Sequence, residues 1–146
     1  MEVFVKKFDE LTVEELYEIL RVRAEVFVVE QNCVYQDLDG VDQAAYHVYI
    51  KESDEIVAYL RVIGRGKRLD EVSVGRVIST KRHKGLGSRL MTVGFAVARD
   101  KFGAERVKVG AQVQAKAFYE SLGFRAVSQE YIEDGIPHIY MIAEVV

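Results

Sequence analysis

Apolar and polar residues follow two kinds of spacing along the chain, and these divide it into strands and helices. Strands are predicted where β-branched and aromatic residues alternate or cluster. These runs are residues 3–8, 46–51, 56–63, 72–79, 106–109, 124–131 and 136–143. A turn around Ser53-Asp54 would join the second and third runs as antiparallel partners.

Three further segments carry apolar residues at helical spacing. The first begins at a capping box, Thr12-Val13-Glu14-Glu15, and is expected to run to about residue 28. The second covers residues 84–102 and the third covers residues 112–122, and a glycine follows each as a stop signal. The polar, turn-rich residues 30–43 predict a loop or a short irregular helix.

The order of these elements predicts an α/β domain with a mixed, largely antiparallel sheet. The length of 146 residues favours a single domain over 1–146, and the 49% of hydrophobic residues excludes disordered and fibrous chains. No apolar run approaches the roughly 20 residues that span a bilayer. The first residues lack the basic and apolar regions of a signal peptide. We therefore expect a cytoplasmic protein with no membrane partner.

Charge is unevenly distributed along the chain, although the formal net charge is only −3. This near-neutral total argues against a nucleic-acid partner. Between Arg23 and Lys51 there is no lysine or arginine, whereas residues 81–89 hold four of them and no acid. The acidic stretch contains Glu25, Glu30, Asp37, Asp39 and Asp42. Each stretch is either a solvated surface or a site for a ligand of opposite charge.

The basic stretch contains a pair of glycines at the predicted start of a helix. Gly85 and Gly87 let the backbone approach a ligand closely, and the unpaired amides of a helix start bind phosphate. Two interpretations stand: a pyrophosphate-binding loop aided by Arg82 and Lys84, or a tight strand-to-helix turn. The spacing fits neither the Walker pattern nor the dinucleotide fingerprint, which needs a third glycine where this chain has Leu90.

This loop resembles the signature of the GCN5-related N-acetyltransferase (GNAT) superfamily, Gln/Arg-x-x-Gly-x-Gly/Ala. Arg82-His83-Lys84-Gly85-Leu86-Gly87 matches it at every specified position. The second family landmark is a helix with Ala and, four residues later, Tyr, followed by Gly-Phe. Its matches are Ala115, Tyr119, Gly123 and Phe124. The chain looks closest to the ElaA-like branch of the family, through residues 26–32 and 133–138.

The resemblance implies a six- to seven-stranded sheet that is flanked by helices and splayed between the fourth and fifth strands. It also implies acetyl-CoA as the donor, with the amides of residues 82–87 on the pyrophosphate and residues 77–79 beside the pantetheine arm. The implied cofactor-binding set is Val77, Ile78, Ser79, Arg82, His83, Lys84, Gly85, Leu86, Gly87, Ser88, Gln112 and Ala115. Gln112 departs from the pattern, because many family members have asparagine there.

Acetyl transfer to an amine needs a base, a stabilised oxyanion and an acid for the leaving thiolate. By family geometry, a backbone amide near Ile78 would stabilise the oxyanion. Tyr119 is the candidate acid, since a phenol with a pKa of about 10 is protonated at neutral pH; the alternative is a buried structural tyrosine. His138 is the candidate base or an ordinary strand histidine. The alternative base is Glu30, or a water molecule that it holds.

The remaining histidines and the cysteine receive other assignments. His47 is expected to be structural, and His83 to touch phosphate or solvent. The three histidines lie far apart in sequence without a ligand pattern, which predicts no metal. Cys33 is the single cysteine, so an internal disulfide and a Cys-based zinc site are excluded. It is not expected to carry the acetyl group, because no base is placed beside it.

These features lead to three hypotheses for the function. The first is an enzyme that moves acetyl directly from acetyl-CoA to a primary amine of a small molecule or peptide. The second is a non-catalytic CoA-binding sensor or scaffold, in which the acid and base are dispensable. The third is a nucleotide-binding protein that uses the same glycine loop. In the first, the acidic stretch would attract the cationic acceptor; otherwise it is a solvated loop. The family resemblance also allows a homodimer.

Overall fold

The computed structural model describes residues 2–80 and 85–145, and eight strands lie within these ranges. They are β1 (Val3–Lys7), β2 (Tyr46–Glu52), β3 (Glu55–Ile63), β4 (Ser73–Ser79), β5 (Arg106–Gln112), β6 (Arg125–Ala126), β7 (Tyr131–Glu133) and β8 (Ile136–Glu144). Their order across one sheet is β1-β2-β3-β4-β5-β8-β6, with β7 also paired to β8. Every pair is antiparallel except β4–β5. The predicted mixed, mostly antiparallel sheet is confirmed.

Helices cover both faces of this sheet. In the described ranges they are α1 (Val13–Arg23), α2 (Leu86–Phe102) and α3 (Lys116–Ser121). The predicted capping box begins α1: Thr12 Oγ1 accepts from the Glu15 amide at 3.1 Å, and Glu15 Oε1 accepts from the Thr12 amide at 2.9 Å. A π-helical segment, Ala24–Val29, continues α1, so the first helical segment ends close to the predicted residue 28.

The two faces have separate hydrophobic clusters, which hold β4 from both sides. On one face, Leu90 and Met91 of α2 are fully buried among apolar residues of the central strands. On the other face, Ile19 of α1 packs in a cluster with Tyr59 of β3 and Ile78 of β4. Burial of these apolar side chains is the main force that fixes the helices on the sheet.

The boundary between β5 and the third helix differs from the prediction. The strand predicted for residues 106–109 continues to Gln112, because Gln112 still pairs with His138 in the antiparallel ladder of β5 and β8. The helix predicted for residues 112–122 therefore starts later. A short 3-10 turn, Val113–Ala115, precedes α3.

The strand predicted for residues 124–131 is divided into two short strands, β6 and β7. The cause is visible at Ser128, whose hydroxyl oxygen accepts from the Tyr140 amide at 3.0 Å. A side chain thus takes the place of a backbone carbonyl in the ladder, and regular pairing stops. This division explains why the described residues form eight strands instead of the six or seven expected.

Candidate active site

A cleft opens in the middle of the sheet, where β4 and β5 separate. The two strands share a single bridged pair, Ser73 with Lys108, and the Lys108 amide donates to the Val72 carbonyl at 2.9 Å. Beyond it the strands diverge, so the expected splay between the fourth and fifth strands is present. The cleft has a volume of about 290 Å³. The sequence-predicted site residues that line it are Val77, Ile78, Ser79, Gln112, Ala115, Tyr119 and His138.

A β-bulge lies in β4 at the wall of this cleft. Tyr59 pairs with Ile78 and Arg61 pairs with Gly75, so two residues of β4 stand opposite one residue of β3. Arg76, one of the two, has a φ of 52°, in the left-handed region that a non-glycine residue seldom adopts. A bulge leaves a backbone group outside the ladder. The β4 backbone is therefore irregular next to Ile78, where the oxyanion was predicted to bind.

The start of α2 lies beside the cleft, and its glycines have different roles. Gly85 has a φ of 85° and directly precedes the helix, as a turn residue would. Gly87 is buried, and a Cβ there would lie 3.0 Å from Phe118 Cζ and 3.3 Å from Ser79 Cβ. Its small size thus lets α2 approach α3 and β4. Leu86 is buried and Ser88 is exposed, while Arg82, His83 and Lys84 lie outside the described residues.

The Gln112 side chain is held by two other glutamines at the rim of the cleft. Its amide Nε2 donates to Gln31 Oε1 at 3.0 Å, and its Oε1 accepts from Gln114 Nε2 at 2.7 Å. Gln112 therefore connects the end of β5 to the segment after α1. Its predicted contact with the cofactor arm stays a prediction.

Tyr119 projects from α3 into the cleft and is 7% exposed. Its ring packs edge-on against Phe118 and Phe124, with centroids 5.2 and 5.5 Å away. Burial raises the pKa of its phenol. The hydroxyl therefore stays protonated at neutral pH, which is the state that a proton donor needs.

His138, in β8, also lines the cleft, and its imidazole is fixed on two sides. Its Nδ1 is 2.7 Å from the Ile136 carbonyl oxygen. Because a carbonyl only accepts, Nδ1 carries the hydrogen in this contact and Nε2 keeps a free lone pair in the neutral ring. The ring also stacks on Tyr131, with centroids 5.7 Å apart. This arrangement presents Nε2 as a proton acceptor in the cleft.

The other predicted candidates lie elsewhere or have structural partners. Glu30 is exposed and is not among the described residues that line the cleft. His47 is fully buried: its Nε2 donates to the Asp42 carbonyl at 3.0 Å, and its Nδ1 accepts from the Tyr59 hydroxyl at 2.7 Å. Since the ring is buried and both of its nitrogens have partners, the expected structural role of His47 is confirmed; burial also lowers its pKa. Cys33 lines the cleft and its Sγ donates to the Asp134 carbonyl at 3.3 Å.

The three aspartates of the acidic stretch are bound by arginines, which neither sequence interpretation predicted, whereas Glu25 and Glu30 are exposed. Asp42 Oδ1 accepts from Arg23 Nη1 at 2.7 Å and from Arg61 Nη1 at 2.9 Å. Asp39 accepts from both terminal nitrogens of Arg61, at 2.9 and 2.5 Å. These contacts neutralise the two aspartates against β3 and α1.

Asp37 completes this network of three arginines and three aspartates. It accepts from Arg23 Nε at 3.0 Å and forms an ion pair with Arg76 Nε at 2.7 Å. Sequence reasoning missed the three arginines. A signal was present at Arg61, a charged residue inside the apolar run of residues 56–63, because a charge buried in a sheet must be paired.

The network shifts the titration of its carboxylates. Burial acts to raise the pKa of Asp39, but hydrogen bonds and the positive charge of Arg61 outweigh it and hold that pKa well below its usual range. Burial also acts to raise the pKa of Asp42. Hydrogen bonds and the positive charges of Arg23 and Arg61 outweigh it, so that pKa is lowered. Both groups are therefore ionised at neutral pH and are neutralised by their arginine partners.

Comparison with known proteins adds the decisive observation for the family. Residues 9–145 match the family described as "Acetyltransferase (GNAT) domain". The chain belongs to the GNAT acetyltransferase family. It is therefore an acyltransferase of a family that binds acyl-CoA, and the resemblance noted in the sequence is confirmed.

Two relatives show where this GNAT chain lies within the family. It is 42% identical to the protein ElaA of Escherichia coli K12 over 141 residues, which are 94% of this chain and 92% of ElaA. The crystal structure of E. coli ElaA has a TM-score of 0.89 with this fold at 40% identity, covering 99% of this chain and all of ElaA. An acyl-CoA N-acyltransferase from Pseudomonas aeruginosa also has a TM-score of 0.89, at 37% identity, with 98% of this chain and 99% of that chain covered.

Two kinds of feature are absent from the described residues, 2–80 and 85–145. No helix there is both long and apolar enough to cross a membrane. Nor do the described residues contain a group of three or more His, Cys, Asp and Glu side chains that would hold a metal ion. The predicted lack of a metal stays a prediction.

Proposed function

We propose that this GNAT chain transfers an acetyl group from acetyl-CoA directly to a primary amine of a small molecule or peptide. The observation that carries the proposal is the placement of Tyr119 and His138 in one cleft at the splay between β4 and β5. One group is a protonated phenol and the other presents a free Nε2 lone pair. They supply the acid and the base that amine acetylation requires.

In this reaction the acceptor enters as an ammonium and first loses a proton to His138 Nε2. The neutral amine nitrogen attacks the thioester carbon, and the negative charge that develops on the carbonyl oxygen is stabilised by a backbone amide near Ile78, beside the bulge. The C–S bond then breaks, and the CoA thiolate takes the phenolic proton of Tyr119. As the adduct collapses, the nitrogen loses its second proton to solvent, and a proton from solvent restores the Tyr119 phenol. The products are the acetylated amine, free CoA thiol and one net proton, which His138 releases to solvent.

The donor would enter from the side of α2. Residues 77–79 line the cleft and are available to the pantetheine arm, and Gly87 in the first turn of α2 packs against Ser79. The helix start offers unpaired amides and a partial positive charge, which suit a pyrophosphate. The basic residues 81–84 precede this helix in sequence and add charge of the same sign.

A thiol-release screen tests this function. Acetyl-CoA, butyryl-CoA and hexanoyl-CoA would each be combined with alkylamines, polyamines, amino acids and peptides, and the product would be identified by mass. We expect CoA release that depends on an amine and is fastest with acetyl-CoA. Tight acetyl-CoA binding with no release for any amine would favour a sensor instead. Preferential binding of ATP or NAD in calorimetry would contradict the proposal.

A further inference from the structure

The cleft is lined by a carboxylate that accepts no hydrogen bond from any described basic residue. Asp37, Asp39 and Asp42 are bound by arginines, and none of the three is among the cleft-lining residues. In the described part of the chain, the carboxylates that do line the cleft are Glu133 and Asp134, in the β7–β8 hairpin. Negative charge available to an acceptor therefore lies in this hairpin, and not in the acidic loop.

Glu133 is the one of these two that faces the proposed base. Its Oε2 lies 3.8 Å from His138 Nε2, and its Oε1 lies 3.7 Å from Arg68 Nη2. Both distances exceed a hydrogen bond. No described residue donates a hydrogen bond to this carboxylate, and its side chain is 40% exposed. A carboxylate with open acceptor positions thus stands beside the nitrogen that would take the proton.

We propose that Glu133 binds the ammonium group of the acceptor beside His138, and thereby selects aliphatic primary amines that are cationic at neutral pH. This inference rests on the proposed function. An ammonium nitrogen placed at the gap between the two residues donates one hydrogen to Glu133 Oε2 and another to His138 Nε2. Its proton then passes to Nε2, and the neutral amine is left next to the thioester. The imidazolium that forms is stabilised by the same carboxylate.

The neighbouring groups agree with this assignment. Arg68 also lines the cleft, but its Nη2 lies 3.7 Å from Glu133 Oε1, beyond hydrogen-bond distance. The Nδ1 contact with Ile136 and the stack on Tyr131 keep Nε2 pointed away from the strand backbone. Cys33 uses its thiol on the Asp134 carbonyl and does not compete for Glu133. The site therefore has one carboxylate oxygen and one imidazole nitrogen that are open to the same amine.

A matched pair of acceptors separates charge recognition from a structural role. Ethylamine is cationic at neutral pH, whereas 2,2,2-trifluoroethylamine has nearly the same shape and is mostly uncharged. Steady-state CoA release would be measured at pH 7.5 for wild type, Glu133→Gln and Glu130→Gln. Glu130 is an exposed acid of the same segment that lies outside the cleft, so its variant removes an equal charge without touching the site.

We expect Glu133→Gln to lower kcat/KM for ethylamine by about 10- to 100-fold, as for loss of a charged hydrogen bond. Its kcat/KM for trifluoroethylamine should stay within about threefold of the wild-type value. Glu130→Gln should match wild type. An equal loss for both amines, or no loss for ethylamine, overturns this inference and leaves the proposed function standing. If wild type releases no CoA with any cationic amine of the screen, the proposed function itself fails.

Discussion

Arg23 and Asp42 form a buried ion pair that ties the acidic loop to the first helix. The Arg23 side chain is 0% exposed, and its Nη1 donates to Asp42 Oδ1 at 2.7 Å. The same oxygen accepts from Arg61, which is equally buried in β3. Because Arg76 at the β4 bulge joins this network through Asp37, the loop, α1, β3 and the cleft wall are held as one unit.

Removing the charge of Asp42 is expected to destabilise the fold strongly. The variant Asp42→Asn leaves two buried guanidinium groups without full compensation, which costs about 3–5 kcal/mol. The surface pair Arg125–Glu144 offers a control, since both side chains are more than half exposed. Glu144→Gln should cost less than about 1 kcal/mol. Urea unfolding would measure both, and similar losses for the two variants would contradict the importance of the network.

Acid should destabilise the protein partly through Glu15. Burial opposes ionisation of this carboxyl, but hydrogen bonds from Lys6, Thr12 and Tyr49 outweigh it and lower its pKa to about 2. The folded-state pKa is thus below the unfolded value of about 4.3. The resulting stability is present above pH 4.3 and is lost as pH falls toward 2. Between pH 6 and pH 2.5, the midpoint temperature of thermal unfolding should fall less steeply for Glu15→Gln than for wild type. Identical slopes would refute the assignment.

Gly110 should tolerate a side chain only when the Tyr131 hydroxyl is removed. A Cβ at Gly110 would lie 2.8 Å from that oxygen, and the Tyr131 ring stacks on His138. Gly110→Ala should therefore cost about 1–3 kcal/mol and reduce the acylation rate by displacing the imidazole. In a Tyr131→Phe background, which lacks the clashing atom and keeps the ring, the same substitution should cost much less. A double-mutant cycle in urea gives the comparison, and additive costs would exclude this clash.

The basic residues before α2 should affect binding of the donor more than turnover. Arg82→Ala with Lys84→Ala is expected to raise the acetyl-CoA Michaelis constant more than it lowers kcat, because a phosphate contact lies far from the reacting carbon. Lys7→Ala with Lys67→Ala removes two exposed charges outside the cleft and should leave both constants near wild type. An unchanged Michaelis constant in the first variant counts against phosphate binding at this loop.

Signals carried by neighbouring residues allowed most elements to be predicted. The capping box at Thr12 and Glu15, the glycine before α2 and the β-branched runs each fix local backbone geometry, and each is present in the structure. The two boundaries that were wrong depend on distant partners. Gln112 stays in β5 because it pairs with His138, and the strand before β7 breaks because Ser128 bonds to Tyr140. Nothing in the local sequence specifies those contacts.

The same distinction applies to the candidate site. The family motifs led to Tyr119 and His138, which the structure brings into one cleft. The charge pattern misled, because Asp39 meets Arg61 from a strand 22 residues later in the chain. The charge pattern shows that these acids have no lysine or arginine close to them in the sequence. It does not show which distant arginines fold onto them. The role proposed for Glu133 depends on the position of its oxygen beside His138, which the sequence does not specify.

Turnover of the Tyr119→Phe and His138→Gln variants is the most direct measurement of the central claim, acid–base transfer of acetyl within this cleft. CoA release would be followed with acetyl-CoA and the best amine from the screen, and calorimetry would check that acetyl-CoA still binds. The mechanism predicts that each variant loses about 100-fold or more in kcat while its affinity for acetyl-CoA stays within about threefold of wild type. Full wild-type turnover in both variants, with every amine that the wild type uses, would contradict it.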